Sequence, residues 1–287
     1  MNWILAGLLM FSFSVVQYLL VRKSVLLKTP SQLSNLAMFF IPTILFYGVS
    51  LNTKTNLDIS GYEFAVIFVL ALFFSYLGNV FSLKSIEVAP NPGYSLVLSK
   101  SYVVFTALAS IPLFHATLTV RSSIAIGMIL IFSALISITG KAKQAAHVHA
   151  SWLPLAVGAF FCWGMLSLTS KYLLILGVNI YSRLIYSMAI VTVLIFIEMW
   201  WKKISFKNLS MNQVGISVLI GICSAGFNYF MQAGFATAPN IGYINAMNAS
   251  SIGLVVVGSA LFFRDELTVQ KFIGVVGVIA GLIVLVI

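Results

Sequence analysis

The sequence has few charged residues and very few acidic ones. Only 6 of its 287 residues are Asp or Glu, and charged residues of both signs make up 8% of the chain. Because soluble domains carry about 25% charged residues, this composition excludes a soluble globular domain. The chain also has only two cysteines and three histidines. This scarcity argues against a disulfide framework and against a metal site, and we expect no cofactor and no metal.

Hydrophobic residues are abundant instead, at 61% of the chain, and they occur in long runs. A helix that crosses a bilayer needs about 20 apolar residues. The runs, separated by charged or Pro/Gly-containing segments, predict ten such helices. They cover Trp3–Val21, Gln32–Leu51, Tyr62–Leu83, Pro92–Phe114, Ser122–Thr139, Trp152–Ser170, Val178–Trp200, Asn212–Ala236, Ile241–Phe263 and Thr268–Ile287. We therefore expect an all-α integral membrane protein surrounded by the lipid bilayer.

The two halves of the sequence resemble each other. Residues 75–138 align without a gap on residues 224–287, and 16 of these 64 positions are identical. The same shift of 149 residues places Trp3 on Trp152 and Asn79 on Asn228. The sequence thus predicts two five-helix repeats, residues 1–140 and 151–287. Because five is odd, the second repeat begins on the side where the first ended, which gives the inverted repeats typical of secondary transporters.

The net charge of +10 is distributed unevenly between the connectors. Odd-numbered connectors hold ten lysines and arginines, whereas even-numbered connectors hold three. By the positive-inside rule, the odd connectors are cytoplasmic and both termini lie outside. The charge therefore reports orientation, and we expect no nucleic-acid partner. His147 and His149 stand in the connector between the halves, where a solvated linker is the simpler interpretation than a metal site.

Several motifs of the second half resemble a known family. In chain order they are Trp163-Gly164 followed by Lys171, then Arg183, and then Asp265-Glu266-Leu267-Thr268 with Gln270 and Gly274. They are similar to the first-helix signature, the recurrent arginine and the tail motif of EamA-type transporters in the drug/metabolite transporter superfamily. The resemblance implies ten helices in two inverted repeats that move small metabolites by alternating access. It also implies cytoplasmic termini, opposite to the orientation that the connector charges predict.

The sequence departs from that family pattern at three positions or segments. Val104 and Gly253 stand where the fourth helix of each repeat usually has proline, and His115-Ala116-Thr117 replaces the acidic tail motif in the first half. The first copy of the repeat has therefore diverged more than the second.

Lys100 is the first candidate for substrate binding. It lies eight residues past Pro92, about 12 Å along a helix, and so near the middle of the fourth span. A charge at that depth normally faces a cavity or a partner. Facing a cavity, it would favour an anionic substrate, with the Ser99 and Ser101 hydroxyls beside it. The alternative is a lysine whose tip reaches the membrane interface.

Other polar side chains in the spans have two open interpretations as well. The spans contain four asparagines that either bind substrate or link helices. They are Asn79 and Asn228, at equivalent positions of the two halves, and Asn245 and Asn248, on one face of the ninth span. Asn248 aligns with Ser99, so these positions could line one cavity. The rings of Trp163, Tyr94 and Tyr243 either contact an apolar or cationic part of a substrate or pack in the bundle.

Together these features predict a secondary transporter in a bacterial inner membrane. Its substrate would be a small polar or amphipathic metabolite such as an amino acid, a nucleotide-like molecule or another carboxylate-bearing or anionic solute. The alternatives are a non-transporting membrane assembly factor and, less favoured, an intramembrane enzyme. We expect no enzymatic activity, because paired carboxylates or clustered histidines are missing from the spans. Gly277 and Gly281 indicate close helix packing or a homodimer through the last helices.

Overall fold

A computed structural model describes residues 1–89, 92–138, 152–204 and 209–287. In these residues the chain forms ten helices that are long and apolar enough to cross a membrane. They are α1 Trp3–Leu26, α2 Ser31–Asn52, α3 Gly61–Val88, α4 Tyr94–Phe114, α5 Val120–Ser137, α6 Trp152–Ile175, α7 Ile180–Trp201, α8 Met211–Thr237, α9 Ile241–Phe263 and α10 Val269–Val286. The predictions of an all-α fold and of ten helices that could span a membrane are confirmed for the described residues. His147 and His149 lie outside the described residues.

Side-chain caps fix where several helices begin. Ser60 and Ser210 each accept a hydrogen bond from the backbone three residues on, while Glu63 and Gln213 reach back, forming capping boxes at α3 and α8. Thr119 caps α5 in the same way by accepting from the Ser122 amide. In a bilayer every exposed backbone group must find a partner, so such caps set the boundaries of the spans.

The backbone turns at the helix ends recur at a fixed spacing. Six described residues have positive φ, and each follows the end of a helix. They form three pairs that are 149 residues apart: Lys28 with Gly177, Lys54 with Lys203, and His115 with Arg264. A left-handed residue after a helix lets its amide satisfy one of the last carbonyls. The two halves therefore end their first, second and fourth helices with the same turn.

The helix contacts follow the same correspondence. Helix α1 packs against α8 and α9, while α6 packs against α3 and α4. Helices that are five apart in number hold the same place in the two halves, so the second set of contacts is the equivalent of the first. The pairs α2–α7 and α5–α10, also in contact, are their own equivalents. Each half thus packs its first helix against the third and fourth helices of the other half.

Helix α3 departs from α-helical geometry near its middle. Residues Leu70–Tyr76 form a π-helical segment. The capping serines Ser60 and Ser210 are 150 residues apart, but the last residues of α3 and α8, Val88 and Thr237, are 149 apart. A π turn closes with an i→i+5 hydrogen bond and holds one residue more than an α turn. The segment therefore absorbs the additional residue of α3.

Small residues bring α10 close to α5. A Cβ at Gly277 would lie 2.1 Å from Cγ of Phe132, and a Cβ at Gly281 would lie 2.9 Å from Cγ1 of Ile129. Close packing of these two glycines is thus used within the chain. A homodimer through the last helices stays a prediction, and it would use the outer face of α10, where Ile273 and Val276 are exposed.

Candidate functional site

A cavity lies inside the helix bundle and is lined by residues from both halves of the chain. About 310 Å³ of empty space lies between its lining residues, a volume that includes open solvent at the mouth. The polar lining consists of Ser75, Arg183, Ser187 and Asn228, and the apolar lining of Phe39, Leu70, Leu166, Met188 and Met231. Helices α2, α3, α6, α7 and α8 contribute these side chains, so any movement between the halves changes the shape of the cavity.

The π segment of α3 explains how two of its residues reach this cavity together. Leu70 and Ser75 both line the cavity although they are five residues apart. In an α-helix, positions five apart point about 140° away from each other, because each residue turns by about 100°. The wider π turn places positions i and i+5 on one face. The π geometry, frequent at functional sites, thus contributes directly to the lining.

Arg183 is the charged residue in the lining. It lies one turn into α7 and is only 3% exposed. One terminal nitrogen of its guanidinium, Nη2, donates a hydrogen bond to the hydroxyl oxygen of Ser170, which itself donates to the Leu166 carbonyl. The Nε–H of Arg183 is buried and has no hydrogen-bond partner among the described residues. The guanidinium therefore keeps unused donor capacity.

No carboxylate neutralises Arg183. All six acidic residues of the chain are within the described part, and the two ion pairs there join Arg22 to Asp265 and Lys202 to Glu198. A buried guanidinium contacted only by neutral groups is unfavourable by several kcal/mol, about as much as any buried ion without its partner. Such a residue inside a membrane protein is a strong indication of a functional site.

Asn228 supplies an amide to the same cavity. Its Nδ2 donates to the carbonyl of Ser224 at 2.9 Å, and the Ser224 hydroxyl in turn donates to the Met38 carbonyl. A carbonyl oxygen can only accept a hydrogen bond, so the atom of Asn228 that faces it is the amide nitrogen. Oδ1 is left as an acceptor and has no hydrogen-bond partner among the described residues. The equivalent Asn79 is half-buried and is not part of the lining.

Lys100 lies elsewhere in the bundle. It is half-buried, and its Nζ is 5.9 Å from the centroid of the Tyr18 ring on α1, within range of a cation–π interaction. The hydroxyls of Ser99 and Ser101 donate to backbone carbonyls of their own helix. Lys100 is thus not among the residues that line the Arg183 cavity, and its role in binding stays a prediction.

The two asparagines of α9 connect helices. Asn245 is 1% exposed, and its Nδ2 donates to Thr106 Oγ1 at 3.0 Å, while its Oδ1 accepts from Ser167 Oγ at 3.4 Å. Asn248 Oδ1 accepts a hydrogen bond from Ser14 on α1. These contacts join α9 to α1, α4 and α6, and they correspond to the interhelical interpretation of these residues.

The three aromatic candidates lie outside the lining of the cavity. Tyr243 donates its hydroxyl to the Thr117 carbonyl at 2.9 Å, and its ring is 5.7 Å from that of Trp3. Trp163 packs near Gly78 of α3, and Tyr94 is 41% exposed. The structure therefore brings only Asn228, of the predicted site residues, to the cavity that contains Arg183.

The sequence alone does not identify Arg183 as a residue of the cavity. Its apolar flanks place it in a span, but its position one turn from the start of α7 suggests an interface residue. Its complete burial depends on Ser170 of α6 and on the packing of three other helices. No sequence pattern carries that information, although an arginine inside an apolar run is itself a usable signal.

Comparison with known proteins supports the fold. No protein-family model matches the chain, and no curated protein matches its sequence. Among solved structures, 29 chains are similar to it. One crystal structure superposes with a TM-score of 0.77 at 13% sequence identity, over 97% of this chain and 96% of the other. At that identity the likeness shows the fold alone.

Proposed function

We propose that the protein is a secondary transporter that moves a small polar or amphipathic metabolite across a bacterial inner membrane by alternating access. The observation that carries this proposal is Arg183, a buried cation without a carboxylate partner. It lines a cavity between helices of both halves. Transporters built from repeats place their substrate sites between the repeats, and a cation in such a place is retained for its ligand.

The proposal includes two inverted five-helix repeats, residues 1–140 and 151–287. Three observations support this arrangement: the 149-residue spacing of the positive-φ turns, the corresponding helix contacts, and the one-residue compensation in α3. With five spans in each half, equivalent helices run in opposite directions through the membrane. In this arrangement a pseudo-twofold axis passes through the contact between α2 and α7. Each half then lines one side of the cavity.

Membership in the EamA-type group of the drug/metabolite transporter superfamily is part of the same proposal. Two motif residues have contacts that fit a structural role in joining the last helices. Asp265 is bound by Arg22, and Gln270 Nε2 donates to the Leu135 carbonyl at 2.9 Å. These contacts attach the α9–α10 connector to α1 and the first turn of α10 to α5, which would couple the second half to the first.

Counterflow into liposomes tests the proposal. The purified full chain is reconstituted into vesicles loaded with an unlabelled amino acid, nucleotide or carboxylate, and uptake of the same labelled solute is measured. We expect saturable counterflow of at least one solute and its loss in Arg183→Ala. Arg121→Ala removes an exposed arginine and serves as the control. Folded protein without counterflow of any solute would overturn the proposal and favour a membrane assembly factor.

A further inference from the structure

We propose that the Arg183 cavity binds the carboxylate of a small monocarboxylic acid that carries a hydroxyl or amino group beside the carboxylate. This inference rests on the proposed transport function and names the substrate class of the same site. It uses three properties of the cavity: a cation without a carboxylate partner, an amide oxygen without a hydrogen-bond partner among the described residues, and a lining that is apolar at five of its nine residues. Each property restricts the ligand independently of the others.

The charge of the ligand follows from the charge of the lining. Arg183 is the one ionisable residue among the nine that line the cavity. Its repeat-equivalent position, 149 residues earlier, is Ser34, whose hydroxyl is already hydrogen bonded to Ser24 at 2.9 Å. The cation therefore occurs in one half only. A single guanidinium balances one negative charge, whereas phosphate sites gather several cations or backbone amides.

The geometry of Arg183 favours a carboxylate over a spherical ion. A guanidinium presents its N–H groups as a planar fork that matches the two oxygens of a carboxylate. Ser170 occupies one donor at Nη2, while Nε–H has no partner among the described residues. The guanidinium thus keeps donor capacity for a ligand, and a carboxylate matches its planar geometry better than chloride does.

The second group of the ligand follows from Asn228. Its Nδ2 is held by the Ser224 carbonyl, so the atom left to a ligand is the acceptor Oδ1. The hydroxyls of Ser75 and Ser187, which also line the cavity, can accept as well. A hydroxyl or ammonium group next to the carboxylate would satisfy these acceptors. A ligand without such a donor would leave these acceptors without a partner where it covers them.

The size of the ligand follows from the volume and from the apolar walls. The empty space of about 310 Å³ includes open solvent at the mouth, so the enclosed part of the cavity is smaller than that. Phe39, Met188 and Met231 are among its apolar walls. Methionine side chains adapt their shape readily. The lining therefore favours the shortest 2-hydroxy or 2-amino acids with a small apolar side chain.

Binding to the purified full chain tests the inference. Melting temperatures are measured in chloride-free detergent buffer with glycolate, L-lactate, L-alanine and L-leucine, and with the corresponding neutral amides. We expect a saturable rise with at least one acid and none with its amide. Arg183→Gln should weaken binding at least about tenfold, as expected for loss of a charged hydrogen bond, and the exposed-site control Arg121→Gln should not. An amide that binds as well as its acid, or no binding by any acid, would overturn the inference.

A second pair of variants guards against misfolding of Arg183→Gln. Ser187 is one helical turn from Arg183 on α7 and also lines the cavity, so Ser187→Asp supplies an internal carboxylate at i+4. We expect this variant to melt at the same or a higher temperature and to lose acid binding. Ser187→Asn has nearly the same size without the charge and should weaken binding less. Equal effects of the two substitutions would contradict a charge-specific site.

Inorganic anions and transport separate the remaining outcomes. Chloride or inorganic phosphate that raises the melting temperature as much as the best acid would show a general anion site and reject the carboxylate. Counterflow of neutral or cationic solutes without acid binding would reject this inference while the transporter proposal stands. Acid binding that requires Arg183, without counterflow of any solute, would reject the transporter proposal and leave the ligand class in place.

Discussion

Arg22 and Asp265 form a two-point ion pair that joins the end of α1 to the connector between α9 and α10. Arg22 Nε donates to Asp265 Oδ2 at 3.0 Å, and Nη2 donates to Oδ1 at 2.7 Å. The repeat-equivalent cation, Lys171 at the end of α6, instead donates to the carbonyls of Phe235 and Ala236 at the end of α8. The same position in both halves thus attaches a first helix to a neighbouring helix end.

The Arg22–Asp265 pair predicts a pH-dependent contribution to stability. The hydrogen bond from Arg22 holds the pKa of Asp265 below its ordinary value. The contribution is therefore present above the unfolded pKa, about 3.9, and is lost as the pH falls through the folded pKa. We expect Asp265→Asn to lower the unfolding free energy at pH 7 by about 1 kcal/mol or less, because both side chains are partly exposed.

Melting temperatures from pH 7 to pH 3 check this prediction. The difference between the original chain and Asp265→Asn should narrow as the pH falls below about 4. Arg22→Gln should give the same difference, and the double variant should add little, as expected for two partners of one contact. A difference that is as large at pH 3 as at pH 7 would show that Asp265 acts through something other than its charge.

The membrane topology predicts opposite accessibility for two equivalent lysines. Lys54 and Lys203 are exposed, have positive φ and are 149 residues apart, yet they lie in the second and seventh connectors. Connector charges predict that Lys203 is cytoplasmic and Lys54 external. In a chain with Cys162 and Cys223 replaced by Ser, an impermeant maleimide applied to intact cells should label Lys54→Cys and not Lys203→Cys.

Two other labelling patterns have separate meanings. Label on Lys203→Cys alone would support the cytoplasmic termini that the family resemblance implies, with the repeats still inverted. Label on both variants or on neither, with both accessible after lysis, would contradict the inverted arrangement itself.

The spans could be predicted from the sequence, but the cavity could not. Hydropathy and punctuation locate helices because a bilayer requires about 20 apolar residues in each. Lys100 and Arg183 both interrupt such runs, and only the packing decides which of them is enclosed. Lys100 meets Tyr18, whereas Arg183 is covered by helices from both halves of the chain. The π segment is visible in the sequence only as a one-residue difference between α3 and α8.

The contact between Gly277 and Phe132 predicts an effect of a single methyl group. A Cβ at position 277 would lie 2.1 Å from Cγ of the ring, so α10 or Phe132 must move. We expect Gly277→Ala to lower the unfolding free energy by about 1–3 kcal/mol, as for other overpacked interfaces, and Phe132→Leu in that background to restore part of it. Gly127→Ala on α5 is the control, because its Cβ meets nothing within 4 Å. An unchanged melting temperature for Gly277→Ala would contradict this packing.

Lys100 retains a prediction of its own. If its ammonium group contacts the substrate, Lys100→Ala should abolish uptake while expression is retained. Tyr18→Leu removes the ring 5.9 Å from Nζ and should affect stability more than the apparent KM. Unchanged uptake in Lys100→Ala would leave Lys100 as a lysine that reaches the interface, and Arg183 as the cation of the site.

The π segment predicts that α3 tolerates a deletion at one place and not at another. Phe73 lies within Leu70–Tyr76 and is 47% exposed. Its removal would leave Leu70 and Ser75 four positions apart, a spacing that an ordinary α turn keeps on one face. We expect the Phe73 deletion to retain its melting temperature, or to raise it, because an α turn has better hydrogen-bond geometry than a π turn. Counterflow should fall, since the cavity would lose the wider turn.

Deleting Val80 provides the matched comparison. This residue follows the π segment, and its loss would rotate the rest of α3 by about 100°. Phe81 packs closely against Gly158 of α6, where an added Cβ would lie 2.9 Å from the ring. The rotation would remove Phe81 from this contact, so we expect a strong loss of folded protein. Equal melting temperatures for the two deletions would show that α3 has no preferred position for the additional residue. The π turn would then be incidental to the cavity.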